Sequence, residues 1–313
     1  MREKPLIVIG GPTAVGKTKL SLLLAKKING EIISADSMAV YRGMDIGTAK
    51  PSPAERRAIK HYLIDVVEPN ETFSIKQFSD LADKAVREIW SKGKVPIVVG
   101  GTYMYIHPFL YGLAETPPAD WELRRKLYER AEKEGKEQLW EELLKIDPVY
   151  AGKIHKNDLR RIVRALEVYY LTGKPYSSFH TNWENAKPRY PYLGVFLVRP
   201  WEDLYKRIRN RVWDMVRDGL LGEILGLLQK GFKEAITSPQ AIDYKEFIPY
   251  FEGQKTLVEC IYDTIKHTKE QAKRQLRWFK RYKDWLRIDL STTDNPTAVK
   301  LIMEEYRKRF PEV

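Results

Sequence analysis

Cysteine is nearly absent from this chain of 313 residues, which contains only Cys260. A single cysteine excludes a disulfide within the chain, and we expect a buried, chemically silent thiol in a reducing compartment such as the cytoplasm. Long uncharged stretches are also absent, because charged residues interrupt every apolar run before it reaches the length of a bilayer span. We therefore expect no transmembrane helix, and the apolar run after Pro5 is too short for a signal peptide.

Acidic residues are in the minority. The chain has 54 lysines and arginines against 42 aspartates and glutamates, a formal charge of +12 at pH 7. This excess favours a polyanionic partner. A generally basic soluble protein has the same composition, so the total charge alone does not decide between the two.

Apolar, strand-like runs alternate with helical patterns in residues 1–114. The alternation is typical of a mainly parallel sheet with helices on both faces, in which ligands bind at the carboxyl ends of the strands. In this part we predict strands at 6–9, 31–34, 62–66 and 95–99, and helices at 19–25 and 78–90.

The pattern changes after Ala114. Residues 121–171 are rich in Glu, Lys, Arg and Leu at helical spacing, so we predict an all-helical insertion at 115–191. Residues 192–313 are expected to return to the core. Their predicted elements are a strand at 192–198, a long amphipathic helix at 203–230, a strand at 285–289 and a helix at 297–308.

A phosphate-binding loop follows the first predicted strand and opens the first predicted helix. Its glycines allow the backbone amides to point inward, and the helix N-terminus adds partial positive charge. The lysine adds a full charge, and Thr18 is placed to ligate Mg²⁺. The loop predicts a bound di- or triphosphate and a P-loop NTPase-like α/β fold. Its residues are Gly11, Pro12, Thr13, Ala14, Val15, Gly16, Lys17 and Thr18.

Asp36 follows the second predicted strand and should lie close to the phosphate loop. A carboxylate at this edge of the sheet can hold Mg²⁺ or accept a proton from an attacking nucleophile. Asp36 and Ser37 are also good helix-capping residues, so position alone leaves a capping role open.

Several blocks of sequence resemble tRNA dimethylallyltransferases, also called isopentenyltransferases. The phosphate loop is followed by Asp36-Ser37-Met38 and by Gly47-Thr48-Ala49-Lys50-Pro51, in the order typical of that family. Further matching blocks extend over nearly the whole chain and together are far more specific than one motif. They are His61–Asp65, Val98–Thr102, Arg161–Val168, Gln240–Ile242 with Tyr244–Glu246, and Lys273–Gln275 with Trp278-Phe279.

The resemblance implies a reaction. The phosphate loop would hold dimethylallyl diphosphate with Mg²⁺, and the exocyclic amine of the adenosine 3′ of the anticodon would attack the allylic carbon. By resemblance Asp36 is the general base, and Thr102 lies near the bridging oxygen and the acceptor. Lys17, the loop amides and Mg²⁺ would stabilise the leaving diphosphate. The target nucleotide has to leave the stacked anticodon loop to reach Asp36.

Basic and aromatic residues are interleaved between His267 and Lys283. Basic side chains beside aromatic ones suit a nucleic-acid strand, through phosphate pairing and base stacking. Trp278 and Tyr282 are four residues apart, a spacing that also suits a stripe of aromatics facing the core. We therefore favour RNA contact for the cations and core packing for the aromatics, with Trp278 retained as a candidate contact.

Two positions depart from the family pattern. Arg160 stands where the family has glutamine, and Asp243 stands where glycine usually precedes the tyrosine. The extra arginine favours phosphate, whereas the extra carboxylate would repel it unless Asp243 holds a turn or pairs with Lys245. Residues predicted to contact tRNA are Asp36, Ser37, Met38, Ala39, Thr102, Arg124, Arg160, Arg161, Arg164, Gln240, Tyr244, Lys245, Lys273, Arg274, Gln275, Arg277, Trp278 and Lys280.

Three other functions share part of these features. A small-molecule kinase would bind ATP at the same loop and use Asp36 as its base, but it leaves the later blocks unexplained. A nucleotide-gated RNA-binding protein explains the charge but gives Asp36 and Thr102 no role. An adenylate isopentenyltransferase would need neither the helical insertion nor the basic surface. We expect a monomeric transferase whose insertion clamps the anticodon stem-loop of tRNA against the core.

Overall fold

The computed structural model describes residues 3–179 and 187–312. A six-stranded sheet, parallel throughout, runs in the order β3-β2-β4-β1-β5-β6. The predicted parallel α/β fold is confirmed. The strands are β1 (Leu6–Gly10), β2 (Gly30–Ser34), β3 (His61–Tyr62), β4 (Val95–Gly100), β5 (Tyr192–Val198) and β6 (Leu286–Asp289).

Helices alternate with the strands and also form a separate group after β4. None of the helices in the described residues is long and apolar enough to cross a membrane. The helices are α1 (Lys17–Ile28), α2 (Pro53–Ala58), α3 (Ile75–Ser91), α4 (Tyr103–Tyr111), α5 (Trp121–Glu134), α6 (Lys136–Ile146), α7 (Pro148–Ala151), α8 (Leu159–Thr172), α9 (Trp201–Arg217), α10 (Leu220–Leu228), α11 (Ile242–Lys245), α12 (Ile248–Phe251), α13 (Leu257–Phe279) and α14 (Asn295–Arg309).

The chain divides into two compact units. The α/β unit consists of residues 1–110 and 189–313, and the helical unit consists of residues 111–188. The sequence predicts the insertion at 115–191, a few residues further along the chain at each end. Each unit has its own apolar core, built on the sheet in the first and on α5, α6 and α8 in the second.

Two predicted elements are longer than those in the structure. The strand predicted at 62–66 ends at Tyr62, because Leu63 and Asp65 have φ angles of 62° and 56°, which a strand does not permit. The helix predicted at 203–230 is two helices, α9 and α10. They are separated at Gly219, whose φ of 104° interrupts the helical backbone.

The strand order determines where the site lies. Strand β1 is central, with β4 on one side and β5 on the other, and the loops after all three leave the same edge of the sheet. That edge is where parallel α/β sheets bind ligands. Gly10 and Gly100 are paired across β1 and β4, so the phosphate loop starts beside the loop that carries Thr102.

Candidate active site

The phosphate loop opens α1 with an uncapped helix N-terminus. Gly16 is the N-cap residue with a φ of 115°, and among the described residues no side chain caps the first turn. Backbone amides at such an end attract anions, which are further favoured by the helix dipole. Thr18 is exposed in the first turn of α1 and lines the adjoining cavity. The loop therefore has the local structure that its sequence predicts.

Lys17 lies over the phosphate loop. Its Nζ donates to the carbonyl oxygens of Gly11 and Pro12, at 3.0 and 2.7 Å. Burial lowers the pKa of the Lys17 ammonium from its ordinary value of 10.5 to about 7; Asp36 opposes this shift, and Arg211 adds to it. A phosphate charge beside this ammonium favours its protonated form and raises its pKa again.

Three arginines that the sequence interpretation missed support the phosphate loop. The guanidinium of Arg199 donates to the Val15 carbonyl at 2.9 Å, and that of Arg207 donates to the Ala14 carbonyl at 2.8 Å. Arg211 donates to the Thr13 hydroxyl at 3.2 Å. Arg207 and Arg211 are one helical turn apart on α9, which places both on one face. That spacing, directly after a strand, is the signal in the sequence that could have identified them.

Gln275 links the phosphate loop, through hydrogen bonds, to the residue that follows β4. Its side-chain oxygen accepts from the Thr13 amide at 2.8 Å, and its side-chain nitrogen donates to the Gly101 carbonyl at 3.0 Å. A Cβ at position 101 would lie 2.4 Å from the Gln275 nitrogen, so a larger residue there would displace this side chain. The structure thus gives Gln275 a supporting role in the phosphate site, different from the predicted contact with tRNA.

Asp36 and Thr102 are held together at the carboxyl ends of β2 and β4. Asp36 Oδ1 accepts from the amides of Met38 and Ala39, at 2.8 and 3.2 Å. The Thr102 hydroxyl accepts from the Ser37 amide at 3.2 Å. The capping-type contact that the sequence left open is therefore present, although no helix follows. Since Oδ2 accepts no hydrogen bond from the described residues, Asp36 also keeps a carboxylate oxygen for chemistry.

One cavity of about 560 Å³ joins these groups. Its lining includes the phosphate loop, Asp36, two arginines of α9, and the segments Gly47–Pro51 and Ala241–Tyr244. It therefore combines a cationic, amide-rich phosphate site with a carboxylate. This is the arrangement that a group transfer needs when a phosphate leaves and a nucleophile gives up a proton.

Asp243 is a second carboxyl group in this cavity. The Thr268 hydroxyl donates to Asp243 Oδ1 at 3.5 Å, and Lys245 pairs instead with Glu246, at 3.7 Å. The suggested pairing of Asp243 with Lys245 is therefore wrong. Burial raises the pKa of Asp243 to about 6; Arg211 opposes this shift, and Asp36 adds to it.

Comparison with known proteins assigns the chain to a family. The family model described as IPP transferase matches residues 39–282. A tRNA dimethylallyltransferase from Aquifex aeolicus is 57% identical over 302 residues, covering 96% of this chain and 97% of the relative. This chain belongs to the tRNA dimethylallyltransferase family.

Solved structures agree with this family membership. A tRNA isopentenylpyrophosphate transferase from Bacillus halodurans is 38% identical, with a TM-score of 0.71 and 98% of each chain covered. A eukaryotic dimethylallyltransferase acting on tRNA is 33% identical, with a TM-score of 0.83, covering 97% of this chain and 79% of that one. The family resemblance stated from the sequence motifs is therefore confirmed.

The basic residues that family resemblance assigns to tRNA lie on and after α13. Lys273, Arg274, Arg277 and Lys280 are exposed, and the Lys273 ammonium lies 5.1 Å from the centre of the Trp201 ring. Trp278 is partly buried and has both ring faces covered. It stacks on Tyr103 at 4.4 Å, and the Arg281 guanidinium lies over it at 4.0 Å. The cations are available to RNA, whereas Trp278 contributes to an aromatic stack.

The arginines predicted to contact tRNA from the helical unit are of two kinds. Arg160 and Arg161 are exposed at the start of α8. Arg124 and Arg164 instead bind the fully buried carboxylate of Glu167, Arg124 through two contacts at 2.9 Å and Arg164 through one at 2.5 Å. These two arginines compensate a buried charge, so the structure gives them a role in stabilising the helical unit.

The block around Tyr244 also contains residues of two kinds. Gln240 and Lys245 are exposed, as a contact with tRNA requires. Tyr244 is fully buried, and its hydroxyl donates to Glu223 at 2.6 Å. The structure gives Tyr244 an internal packing role in place of the predicted contact, because order along a motif carries no information about burial.

Proposed function

We propose that this protein transfers the dimethylallyl group of dimethylallyl diphosphate to the exocyclic amine, N6, of the adenosine 3′ of the anticodon in tRNA, releasing diphosphate. The observation that carries the proposal is the single cavity in which the phosphate loop and Asp36 meet. The names of the relatives, tRNA dimethylallyltransferases, support the same reaction.

The diphosphate is held by charge and by oriented amides. The uncapped N-terminus of α1, Lys17 and Arg211 all border the cavity, and each stabilises negative charge that grows on the departing oxygen. Arg199 and Arg207 bind carbonyls of the loop, so they fix the loop conformation as well as adding positive potential. Most of the rate enhancement is expected from this preorganised cationic environment.

Asp36 accepts the proton that the amine loses. In the transfer, the C–O bond of the allylic carbon breaks, its electron pair leaves with the diphosphate, and the amine nitrogen forms the new C–N bond. The N6 proton passes to Asp36 Oδ2, while Oδ1 remains fixed by two backbone amides. Thr102, bound to the Ser37 amide, keeps the Asp36 segment against the end of β4.

Residues of the cavity fit a magnesium ion bound mainly through substrate. Mg²⁺ prefers oxygen ligands and often combines one protein ligand with phosphate oxygens and waters. Thr18, which is exposed in the first turn of α1 and lines the cavity, would supply that protein ligand through its hydroxyl. A bound Mg²⁺ supplies Lewis-acid stabilisation of the diphosphate charge.

RNA recognition is assigned to two sets of exposed cations. One comprises Lys273, Arg274, Arg277 and Lys280, and the other comprises Arg160 and Arg161. Exposed cations of this kind bind phosphates and make affinity fall steeply with salt. The double variants Lys273→Glu/Arg277→Glu and Arg160→Glu/Arg161→Glu should each raise the Kd for tRNA and reduce the salt dependence of binding, with little change in the KM for dimethylallyl diphosphate.

The test of the function is transfer of label to RNA. The protein is incubated with Mg²⁺, labelled dimethylallyl diphosphate and unmodified tRNA that carries adenosine 3′ of the anticodon, and the label in RNA is measured. Label recovered on the N6 of that adenosine supports the proposal. Absence of label, together with hydrolysis or transfer of the γ-phosphate of ATP, would refute it in favour of a kinase.

A further inference from the structure

Glu223 on α10 binds three consecutive backbone amides. Its carboxylate accepts from the amides of Asp45 at 3.0 Å, Ile46 at 2.9 and 3.1 Å, and Gly47 at 3.3 Å. Successive amides that converge on one anion form a strong local contact, because each hydrogen bond is assisted by the carboxylate charge. This single side chain therefore binds every backbone amide from Asp45 to Gly47.

The same carboxylate binds a second segment of the chain. Tyr244 donates its hydroxyl to Glu223 at 2.6 Å, and the Tyr244 ring is fully buried. The ring lies directly against Gly47, where an added Cβ would be 2.4 Å from Tyr244 Cε2. Glu223 thus joins the 45–47 segment to α11, and glycine at position 47 allows the two to approach.

Both joined segments continue into walls of the cavity. Gly47–Pro51 forms one wall and Ala241–Tyr244 forms another, apart from the phosphate loop and α9. Because the diphosphate is assigned to the phosphate loop, these two walls face either the dimethylallyl group or the acceptor base. The carboxyl group of Asp243 is a poor neighbour for an apolar prenyl chain, which leaves the acceptor base as the group this side receives.

We infer that Glu223 is a positioning residue that sets the acceptor side of the cavity by holding the 45–47 segment and Tyr244 in one arrangement. This inference rests on the proposed transfer to tRNA. Glu223 is not among the described residues that line the cavity, so it acts through the walls and not on the reacting atoms.

The test separates the two substrates kinetically. Replacing Glu223 by alanine removes every acceptor and frees both walls. Since a misplacement of about 1 Å can cost about 100-fold in rate, kcat/KM for tRNA should fall by about that factor, chiefly through a higher KM. The KM for dimethylallyl diphosphate should stay within about threefold, because the hydrogen bonds of Glu223 in the described residues go to the 45–47 segment and Tyr244 and not to the phosphate loop. Glu223→Gln keeps one acceptor oxygen and should lose only about tenfold.

Two matched variants control the measurement. Tyr244→Phe keeps the ring against Gly47 and removes one donor, so it should raise the KM for tRNA less than Glu223→Ala does. Glu234→Gln changes an exposed glutamate and should leave both KM values unchanged. Melting curves followed by circular dichroism report the folded fraction of each variant.

The outcomes are distinguishable. A fall in kcat that matches the folded fraction, with both KM values unchanged, would show a purely structural role and overturn the inference. A rise in the KM for dimethylallyl diphosphate alone would overturn it as well, by placing the walls on the prenyl side. A wild-type protein that transfers no label would instead refute the proposed function.

Discussion

Replacing Gln275 by alanine tests how the phosphate loop is held. The side chain comes from α13, yet it joins the loop after β1 to the loop after β4 through the Thr13 amide and the Gly101 carbonyl. Alanine removes both bonds without introducing charge or bulk. The Thr13 amide, freed from its acceptor, can then turn, and the diphosphate site loses a fixed wall.

The magnitude follows from the two lost bonds. A hydrogen bond contributes about 0.5–1.5 kcal/mol net to the free energy of unfolding, and a backbone group left without a partner costs somewhat more. Water in the cavity replaces part of each lost contact. We expect a loss of about 2 kcal/mol in the free energy of unfolding, which corresponds to roughly 4–8 °C in Tm for a unit of this size. The KM for dimethylallyl diphosphate should rise about tenfold, since the loop then orders only on binding.

Gln271→Ala provides the control for this experiment. Gln271 lies one helical turn earlier on α13 and lines the same cavity, but it makes no hydrogen bond within the described residues. Thermal melts and steady-state kinetics of the two variants are compared directly. Equal Tm and equal KM for the two would refute the reasoning, because it would mean that the Gln275 bonds hold nothing in place.

Three further predictions concern ionised groups. Burial lowers the pKa of Lys17 to about 7, so inorganic diphosphate should bind with uptake of a proton. Its affinity should fall by up to about tenfold per pH unit above pH 7. Calorimetry in two buffers measures the proton uptake, and an affinity that does not change with pH would contradict the prediction. Because burial raises the pKa of Asp243 to about 6, ionising it costs folding energy. Asp243→Asn should therefore be more stable than wild type by up to about 3 kcal/mol above pH 6 and about equally stable near pH 4. Denaturant melts at the two pH values decide, with Asp218→Asn as the exposed control. Glu167→Gln leaves Arg124 and Arg164 without their buried carboxylate partner and should destabilise the helical unit by about 3 kcal/mol. Limited proteolysis measures this loss. Glu129→Gln, which removes a charge from an exposed ion pair, should not destabilise the unit.

Contiguous features of the sequence were predictable. The phosphate loop needs only neighbouring residues, a strand before it and a helix after it, so its position and structure follow from local rules. The same holds for five of the strands, whose apolar runs are bounded by glycine or charge. The strand at β3 was predicted too long, because its end depends on two residues with positive φ that no hydrophobic pattern reveals.

Contacts between distant segments were not predictable in the same way. Arg207 and Arg211 reach a loop almost two hundred residues earlier in the chain, and Gln275 reaches one still further away. Family blocks identify which residues matter without saying how they act. Tyr244 matches a family block yet is buried against Gly47. Arg124 and Arg164 match arginines of the family yet bind Glu167 inside the helical unit. Glu223, one acid in an apolar helix, gave no signal until its partners were known.

The most direct test of the account is single-turnover transfer by Asp36→Asn. The variant keeps the side-chain oxygen that the Met38 and Ala39 amides bind, but it cannot accept the proton of the attacking amine. We expect the transfer of labelled dimethylallyl to tRNA to fall by about 100-fold or more, while the Kd values for tRNA and for inorganic diphosphate stay near those of wild type. Transfer at the wild-type rate with unchanged Kd values would contradict the account, because Asp36 would then not be the base.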